Sequence, residues 1–388
     1  MTRIYLDHTA TTPIDPRVLE SMQPCLGGLF GNASSVHSFG REAKSALERA
    51  RSVIAAAVGA EPGEIFFTSG GTESDNLAIM GAARAGRNHG KNRVVATRAE
   101  HHAVIDPCDH LLREGYDVRL LAVDGNGALR PSDAADSLAG TTAIISVMHA
   151  NNEVGTISDI RAIASLARER GVPCHTDAVQ TLGKTPVNVR DLGVDLMSLS
   201  AHKLYGPKGI GALYIRRGIE VESLLYGGGQ ERGRRPGTEN VALAVGFARA
   251  VELALEMMDG ESARLRRLRD DLEDRIVSAF PQVIVNGDRH NRLPHVLSIS
   301  FDSGRLPLEG EMLVMNMDLA GIAVSSGSAC TSGSVQPSHV MLAMGRDPDT
   351  ARATLRFSFG MSNSEEDLDR VVVSLTEAVR MAQKSRRG

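Results

Sequence analysis

Two charged residues stand where predicted strands end, in positions that suit catalysis. Asp177 and Lys203 each follow an apolar run, and they lie twenty-six positions apart. A carboxylate there can pair with a pyridinium nitrogen and keep it protonated, which makes pyridoxal an electron sink. A desolvated lysine amine can form a Schiff base with an aldehyde. The pair indicates pyridoxal chemistry, although Asp177 also suits a turn, and Lys184 and Lys208 are rival candidates for the amine.

A glycine turn precedes one of the predicted helices. Ser69-Gly70-Gly71-Thr72 follows a short apolar run and opens a segment with helical periodicity. Glycines let the backbone approach an anion, while hydroxyl groups and the first amides of a helix donate hydrogen bonds to it. The same pattern also fits an ordinary capped helix. A phosphate site is therefore predicted only in combination with the other clusters.

Two more polar clusters follow apolar runs. Asn151 and Asn152 offer amide donors and acceptors for a substrate carboxylate or a ring oxygen. Glu100-His101-His102 includes a ring that can stack on a planar cofactor, with a structural role or a chance metal site as the alternatives. No third ligand stands at a recognisable spacing, so we predict no metal.

Cys330 differs from the other cysteines in its surroundings. The segment 323–334 around it is small, polar and rich in glycine, whereas a structural cysteine normally has larger apolar neighbours. This composition predicts a flexible loop, and by itself it leaves a reactive thiol and an ordinary cysteine equally open. Cys25, Cys108 and Cys174 are far apart without a CxxC motif, so we expect packing or surface roles and no disulfide in a reducing compartment.

The order of the elements explains why these clusters would meet. Seven apolar runs alternate with helical patterns between about residues 60 and 216, which predicts an α/β fold with a mainly parallel, doubly wound sheet covered by helices. The predicted strands are 64–68, 93–97, 118–123, 143–148, 172–176, 196–200 and 210–215, and the helices between them include 72–87, 103–114 and 160–170. Open α/β sheets bind ligands at the carboxyl ends of their strands.

The remaining third of the chain has a different pattern. A long helical stretch is predicted from Thr238 to Ala279, with a break at Asp259-Gly260. Beyond Pro281 the pattern predicts a smaller α+β unit. Its strands are expected near 283–285, 295–301 and 354–358, and its helices near 308–319 and from 364 onward. We therefore expect an N-terminal arm (1–15), a large cofactor-binding domain (16–259) and a small C-terminal domain (260–388) that carries the Cys330 loop.

Composition excludes several classes of partner. The 388 residues carry a formal charge of −4, which provides no attractive field for nucleic acid or an anionic membrane. Aromatic residues form only 4% of the chain, too few to favour stacking on bases. No run of 18 apolar residues occurs, and the first residues lack the apolar core of a secretory signal. We expect a cytoplasmic protein that binds neither nucleic acid nor membrane directly.

Several blocks together resemble a known family. The blocks are Tyr5–Pro13, Gly31–His37 and Arg356–Gly360, in addition to the clusters above. The sequence is similar over nearly its whole length to cysteine desulfurases of the NifS/IscS type, in the class V aminotransferase group of fold-type I pyridoxal-phosphate enzymes. Thr9 stands where alanine is commoner, and this departure touches none of the residues with assigned roles.

The resemblance implies a role for each matching residue. Lys203 would form the Schiff base with pyridoxal 5'-phosphate, Asp177 would pair with the pyridinium, and His101 would stack on the ring and move protons. The other implied ligands are Gln180 for the ring hydroxyl, Gly71, Thr72, Ser200 and His202 for the phosphate, Thr238 for the phosphate of the neighbouring subunit in a homodimer, and Asn152 and Arg356 for the substrate carboxylate.

For Cys330 the resemblance implies a role in sulfur transfer. Its thiolate would take the sulfur of L-cysteine as a persulfide, release L-alanine and pass the sulfur to an acceptor protein. An iron–sulfur cluster scaffold is the expected acceptor, with tRNA thiolation factors and other carriers as alternatives. The segment Gln336–His339 resembles the long-loop subgroup of the family. The alternatives are another class V enzyme, such as a selenocysteine lyase or an aminotransferase, and a non-catalytic scaffold. The former would keep Lys203 and Asp177 without needing Cys330.

Overall fold

The computed structural model describes residues 3–326 and 336–385. The strands in this part of the chain are β1 Ile4–Tyr5, β2 Ile65–Thr68, β3 Arg93–Thr97, β4 Asp117–Leu121, β5 Thr142–Ser146, β6 Cys174–Asp177, β7 Leu196–Ser200, β8 Gly211–Ile215, β9 Val283–Asn286, β10 Val296–Phe301, β11 Ile322–Ala323 and β12 Thr354–Ser358. The helices are α1 Pro16–Leu26, α2 Ser38–Val58, α3 Gly71–Arg87, α4 His102–Arg113, α5 Pro131–Ser137, α6 Ile160–Glu169, α7 Val189–Leu192, α8 Val241–Ala279, α9 Gly310–Leu319, α10 His339–Ala343, α11 Pro348–Arg352 and α12 Glu366–Ser385.

The largest sheet has seven strands in the order β2-β8-β7-β6-β5-β3-β4. The pairs β3–β4, β3–β5, β5–β6 and β6–β7 are parallel, and only β8 runs against its neighbours. Every residue of β5, β6, β7 and β8 is buried, as expected for strands that are covered by helices on both faces of the sheet. The predicted mainly parallel, seven-stranded α/β sheet is confirmed, with strand ends within two residues of the expected positions.

The long helix α8 corrects one prediction. It runs unbroken over 39 residues, so the break expected at Asp259-Gly260 is wrong. A glycine inside a helix costs about 1 kcal/mol relative to alanine. Packing along the helix outweighs this cost: Phe247 is buried in the core beneath the large sheet, and Leu272 is buried in a second core. The helix also begins at Val241, three residues after the predicted start.

The second core belongs to a smaller three-stranded antiparallel sheet in the order β12-β10-β9. The strand β12, expected at 354–358, has the predicted bounds, and α9 and α12 begin two residues after their predicted starts. Ile4 and Leu6 of the N-terminal arm lie in this core, and β1 pairs in parallel with β11. The arm therefore packs beside the small sheet before it reaches the large one. The exact domain boundaries remain a prediction.

Candidate active site

A cavity of about 600 Å³ lies at the carboxyl ends of the central strands. Its lining contains ten of the residues that the sequence singled out: Gly71, Thr72, His101, Asn152, Asp177, Gln180, Ser200, His202, Lys203 and Arg356. Thr238 is exposed in the loop before α8 and does not line the cavity. Cys330 lies outside the described residues. The topology thus gathers residues that are up to 285 positions apart (71 to 356) in one place.

Asp177 is the last residue of β6, so its side chain emerges where the strand stops. It is only 6% exposed, and its Oδ1 accepts a hydrogen bond from the amide of Val179 at 2.9 Å. Burial raises the pKa of Asp177 to about 6, while the nearby Lys203 charge acts in the opposite direction. A carboxyl group in this position gains from a cationic partner such as a protonated ring nitrogen.

Lys203 ends a short 3₁₀ turn, Ala201–Lys203, that follows β7. Its Nζ donates to the main-chain oxygens of Thr9 at 2.6 Å and Ala10 at 2.7 Å. The arm therefore holds the amine at the cavity wall. Neither rival lysine lines the cavity: Lys184 donates to the main-chain oxygen of Lys203, and Lys208 is exposed.

His101 caps the N-terminus of α4. Its Nδ1 accepts from the amide of Ala103 at 3.0 Å, which assigns the ring proton of the neutral form to Nε2. Burial, together with the charges of Lys203 and His102, lowers the pKa of His101 to about 4. The ring is therefore neutral at pH 7, and it can both stack on a planar group and carry a proton at Nε2.

The glycine turn forms a cradle for an anion. Helix α3 begins at Gly71, and its N-cap Gly70 makes no side-chain capping bond, so the first amides of a 17-residue helix remain available as donors. A Cβ added at Gly71 would lie 2.8 Å from Cγ2 of Val179, so the close approach requires glycine. The Ser200 hydroxyl is buried without a hydrogen-bond partner. These groups fit a phosphate.

Gln180 supplies a second unused group. Its Nε2 donates to the main-chain oxygen of Thr9 at 3.0 Å, while its Oε1 is buried without a partner. A buried acceptor of this kind is costly unless a ligand satisfies it. A ring hydroxyl would do so. The unused Gln180 acceptor, the Ser200 hydroxyl and the Asp177 carboxyl together match the hydroxyl, phosphate and ring nitrogen of pyridoxal phosphate.

Arg356 comes from β12 of the small sheet and is 3% exposed. Its Nη2 donates to Oδ1 of Asp7 at 2.8 Å, and its Nη1 donates to the main-chain oxygen of Asn152 at 3.0 Å. Its Nε is buried and has no partner among the residues that the structure describes. A guanidinium held in this way at the cavity wall is suited to a carboxylate, because its planar fork can pair with both carboxylate oxygens.

Sequence reasoning missed the cavity residues of the arm and Asp75. Thr9 and Ala10 line the cavity, and Asp7 holds Arg356. All three stand inside the Tyr5–Pro13 block, but their contacts lie 171 to 349 positions away in the chain. Asp75 had a local signal, because its spacing to Ala78 and Ala82 places it on the buried face of α3.

Comparison with known proteins identifies the family. The model of the family described as aminotransferase class-V matches residues 4–371. The chain therefore belongs to the class-V aminotransferase family. It is 48% identical over 366 residues to "Cysteine desulfurase IscS" of Dictyoglomus turgidum, covering 94% of this chain and 92% of that protein. It is also 48% identical over 371 residues to "Cysteine desulfurase IscS" of an Enterobacter species, covering 94% and 90%.

Solved structures agree with this assignment. A "NIFS-LIKE PROTEIN" superposes with a TM-score of 0.90 at 35% identity, covering 98% of this chain and 100% of the other. "SspA in complex with cysteine" superposes with a TM-score of 0.81 at 35% identity, covering 92% and 99%. These similarities confirm the predicted fold-type I pyridoxal-phosphate enzyme of the cysteine desulfurase group. Within the described ranges, no helix is both long and apolar enough to cross a membrane.

Proposed function

We propose that this protein removes sulfur from L-cysteine in the cavity described above and keeps it as a persulfide on Cys330. The reaction is balanced as L-cysteine plus the Cys330 thiol giving L-alanine plus the Cys330 persulfide. One observation carries the proposal: ten predicted site residues line one cavity, and unused buried groups of Gln180 and Ser200 face a space that suits pyridoxal phosphate. When bound, this cofactor supplies an aldehyde for the substrate amine and an electron-accepting ring that activates bonds at Cα and Cβ.

The residues of the large sheet hold the cofactor and move protons. Asp177 accepts the hydrogen bond of the ring nitrogen and keeps that nitrogen protonated. His101 lies against the ring, neutral at pH 7, with its proton on Nε2. Lys203 would be the amine that holds the aldehyde of the cofactor and the base that accepts the proton from Cα of the substrate. Release from Thr9 and Ala10 frees the amine for this work.

The substrate is oriented by the other wall of the cavity. Arg356 pairs with the α-carboxylate through its planar fork, and Asn152 lies beside it. This fixes the amino group toward Lys203 and leaves the thiol side chain free. The orientation is the entropic part of catalysis, because it makes each later step intramolecular.

The chain on both sides of residues 327–335 reaches the cavity, which supports Cys330 as the sulfur acceptor. Ser325 pairs with Arg356 through two main-chain hydrogen bonds of 2.7 and 3.2 Å. Gln336 and Pro337 are part of the cavity lining. Cys330 follows Ser326 by four residues, and four residues span at most about 14 Å, so the chain length is compatible with sulfur transfer to Cys330 from a substrate bound at Arg356.

The test is to measure alanine and sulfide formed from L-cysteine by the purified holoprotein with a thiol reductant. We expect equal amounts of both, and Cys330→Ser should bind cysteine yet transfer no sulfur. Cys25→Ser, at the end of α1, is the matched control and should behave like the unmodified protein. A 2-oxo acid product would indicate an aminotransferase. Alanine from selenocysteine alone would indicate a selenocysteine lyase, and persulfide formation by Cys330→Ser would contradict the role of that thiol.

A homodimer is part of the proposal, because Thr238 is exposed and lies outside the cavity of its own chain. The test uses hybrid dimers of a Thr238→Val chain and a Lys203→Ala chain. If Thr238 serves the partner's phosphate, the Thr238→Val chain keeps a complete site, and the hybrid has about half the activity of the unmodified dimer. If Thr238 serves its own chain, no complete site exists and activity is absent.

The acceptor of the sulfur is proposed to be an iron–sulfur cluster scaffold, since the IscS-named relatives cover nearly the whole chain. We place the enzyme in the cytosol as part of this proposal, because a persulfide carrier must begin as a reduced thiol. Transfer of labelled sulfur from the loaded enzyme to a purified scaffold protein tests the first point. No transfer to the scaffold, with efficient transfer to a tRNA thiolation factor, would redirect the assignment.

A further inference from the structure

A row of polar side chains crosses the middle of the large sheet behind the cavity. Ser146, His175 and Ser198 come from β5, β6 and β7, and none is exposed. His175 Nδ1 is 2.8 Å from the Ser146 hydroxyl, and His175 Nε2 is 2.9 Å from the Ser198 hydroxyl. Strand register sets the row, because Ser146 pairs with His175 and Asp177 pairs with Ser198. The proposed reaction uses none of these three side chains.

Asp75 of helix α3 adds a carboxyl group to this row. It is 2% exposed, it bonds with Ser198, and its Oδ1 lies 3.6 Å from Nε2 of His175. That Oδ1 is buried and has no hydrogen-bond partner. Asp75 also lines the cavity, as does Asp177. A second carboxyl group therefore stands beside the one that would face the cofactor ring.

The charges around Asp75 determine which carboxyl group is ionised. Burial raises the pKa of Asp75 most strongly, and the charges of Asp177 and Glu100 raise it further, against the Ser198 hydrogen bond. Burial also lowers the pKa of His175 to about 3, so the neighbouring ring is neutral and adds no compensating charge. Two carboxylates cannot both stay ionised cheaply in one buried space. Lys203 favours ionisation of Asp177, which leaves the proton on Asp75.

We propose that Asp75 is a positioning residue that stays protonated and, through Ser198 and the His175 row, keeps Asp177 as the single carboxylate available to the ring nitrogen of the cofactor. This inference rests on the proposed cofactor site and adds a residue to it. A neutral Asp75 occupies the space beside Asp177 without competing for the pyridinium. It also forms a hydrogen bond with Ser198, the residue that lies opposite Asp177 in the register of β6 and β7. Asparagine has the same shape and is always neutral, so it should replace Asp75 in this role, whereas leucine cannot.

The experiment is a titration of cofactor-free protein with pyridoxal phosphate by isothermal calorimetry in two buffers of different ionisation enthalpy. It yields both the Kd and the number of protons taken up. Asp75→Leu should raise the Kd by about tenfold, because Ser198 loses a buried hydrogen-bond partner. Asp75→Asn should restore the Kd to within about threefold of the unmodified protein, with the same proton count. Ser198→Ala is a smaller change that should also raise the Kd. It provides the test if Asp75→Leu does not fold.

Three outcomes would overturn the inference. An Asp75→Asn protein that binds as weakly as Asp75→Leu and takes up about one proton fewer would show that Asp75 itself titrates. An Asp75→Leu protein that binds like the unmodified one would show that Asp75 has no part in the site. Asp177→Asn distinguishes a failure of the Asp75 inference from a failure of the proposed cofactor site. If the cofactor site is right, this variant should bind pyridoxal phosphate about 30-fold or more weakly. If Asp177→Asn loses nothing, the cofactor site fails and the inference fails with it.

Discussion

Asp177 and Arg356 line the same cavity, but different parts of the fold hold them. Asp177 ends a central strand of the seven-stranded sheet, and its neighbours Ser198 and Lys203 come from the adjacent strand and the turn after it. Arg356 lies on the three-stranded sheet and is held by Asp7 of the N-terminal arm, 349 positions away. The cofactor side of the cavity is thus one continuous unit, and the substrate side is assembled from two distant segments.

Because of this difference, the cofactor side and the substrate side should respond differently when a ligand binds. On the cofactor side, buried groups of Gln180 and Ser200 lack partners, so this wall gains hydrogen bonds when a ligand arrives. On the substrate side, Arg356 already has an ionic partner in Asp7. A substrate carboxylate must share the guanidinium with Asp7 or displace it. The cofactor side therefore only gains hydrogen bonds when a ligand binds, whereas the substrate side has an unused Nε on Arg356 and also a competing carboxylate on Asp7.

The largest expected effect concerns the cofactor side. Lys203→Ala should lower alanine formation from L-cysteine by about three orders of magnitude or more, because one amine both holds the cofactor and moves the substrate proton. Lys208→Ala, an exposed change five residues away, is the matched control and should retain activity. Comparable losses in both variants would show that the cavity does not single out Lys203.

Arg356→Ala tests whether the substrate side of the cavity acts independently of the cofactor side. We expect the KM for L-cysteine to rise by about 30-fold or more, because a buried carboxylate–guanidinium pair is lost, with the Kd for pyridoxal phosphate within about threefold. Steady-state kinetics and a cofactor titration measure the two quantities. Arg352→Ala in α11, where the side chain is half-buried, pairs with Asp349 and does not line the cavity, is the control. A fall in cofactor affinity as large as the rise in KM would mean that the two walls are not independent.

Asp7→Asn gives a smaller and opposite change. The amide oxygen of the introduced asparagine can still accept the hydrogen bond from Arg356, but the side chain no longer competes with the substrate through its charge. The KM for L-cysteine should fall by about three- to tenfold, about 1 kcal/mol, with kcat little changed. The same kinetic assay measures this effect. A rise in KM would show instead that the charge of Asp7 is needed to orient the guanidinium.

The smallest expected effect is a pH dependence of the free energy of unfolding, to which buried histidines and two buried glutamates contribute in opposite directions. Burial lowers the pKa of His175 to about 3 and that of His101 to about 4, whereas the pKa of a histidine in the unfolded chain is about 6.5. Between these values the unfolded chain binds more protons than the folded protein. The contribution of these two histidines to stability therefore rises with pH from about 4 to 6.5. Burial raises the pKa of Glu100 to about 8 and that of Glu153 to about 7. In the folded state these two hold protons that the unfolded chain releases above about pH 4.5, so their contribution falls as pH rises to 8.

Glutamine variants assign this decline to one wall or the other. Glu100 contacts the cofactor side through Met148, and Glu153 lies near Arg356. Thermal melting of the cofactor-free protein between pH 6.5 and 8.5 should show that Glu100→Gln flattens the decline more than Glu153→Gln, because the pKa of Glu100 is raised further. Equal slopes in both variants would contradict that ranking.

The sequence predicted best where local pattern and tertiary burial agree. The strands at 93–97 and 196–200 have the expected bounds, because both are mainly apolar and each ends in a polar residue. The break in α8 was predicted wrongly at Asp259-Gly260, because packing of both halves of the helix outweighs a local glycine penalty. Helices α1 and α2 and the short strands β1 and β11 were not among the predicted elements, and β1 and β11 gain their pairing only from each other.

The cavity residues also divide into those that local sequence located and those that depend on tertiary contacts. Strand ends are local features, so the sequence alone located Asp177, Ser200 and Lys203 at one edge of a sheet. Spacing alone left Lys184 and Lys208 as rivals, and the resemblance implied Lys203. In the structure Lys203 lines the cavity and the two rivals do not, because burial and contact with the arm do not follow from spacing.

The sequence by itself determined the alternation of strands and helices, the polar residues at the strand ends and the resemblance that implies their chemistry. These are properties of short segments and their order. The tertiary structure alone decided that Asp7 holds Arg356, that Asp75 stands beside Asp177, and that the arm closes over Lys203. Such contacts join segments far apart in the chain, and they form only because burial of two separate cores brings those segments together.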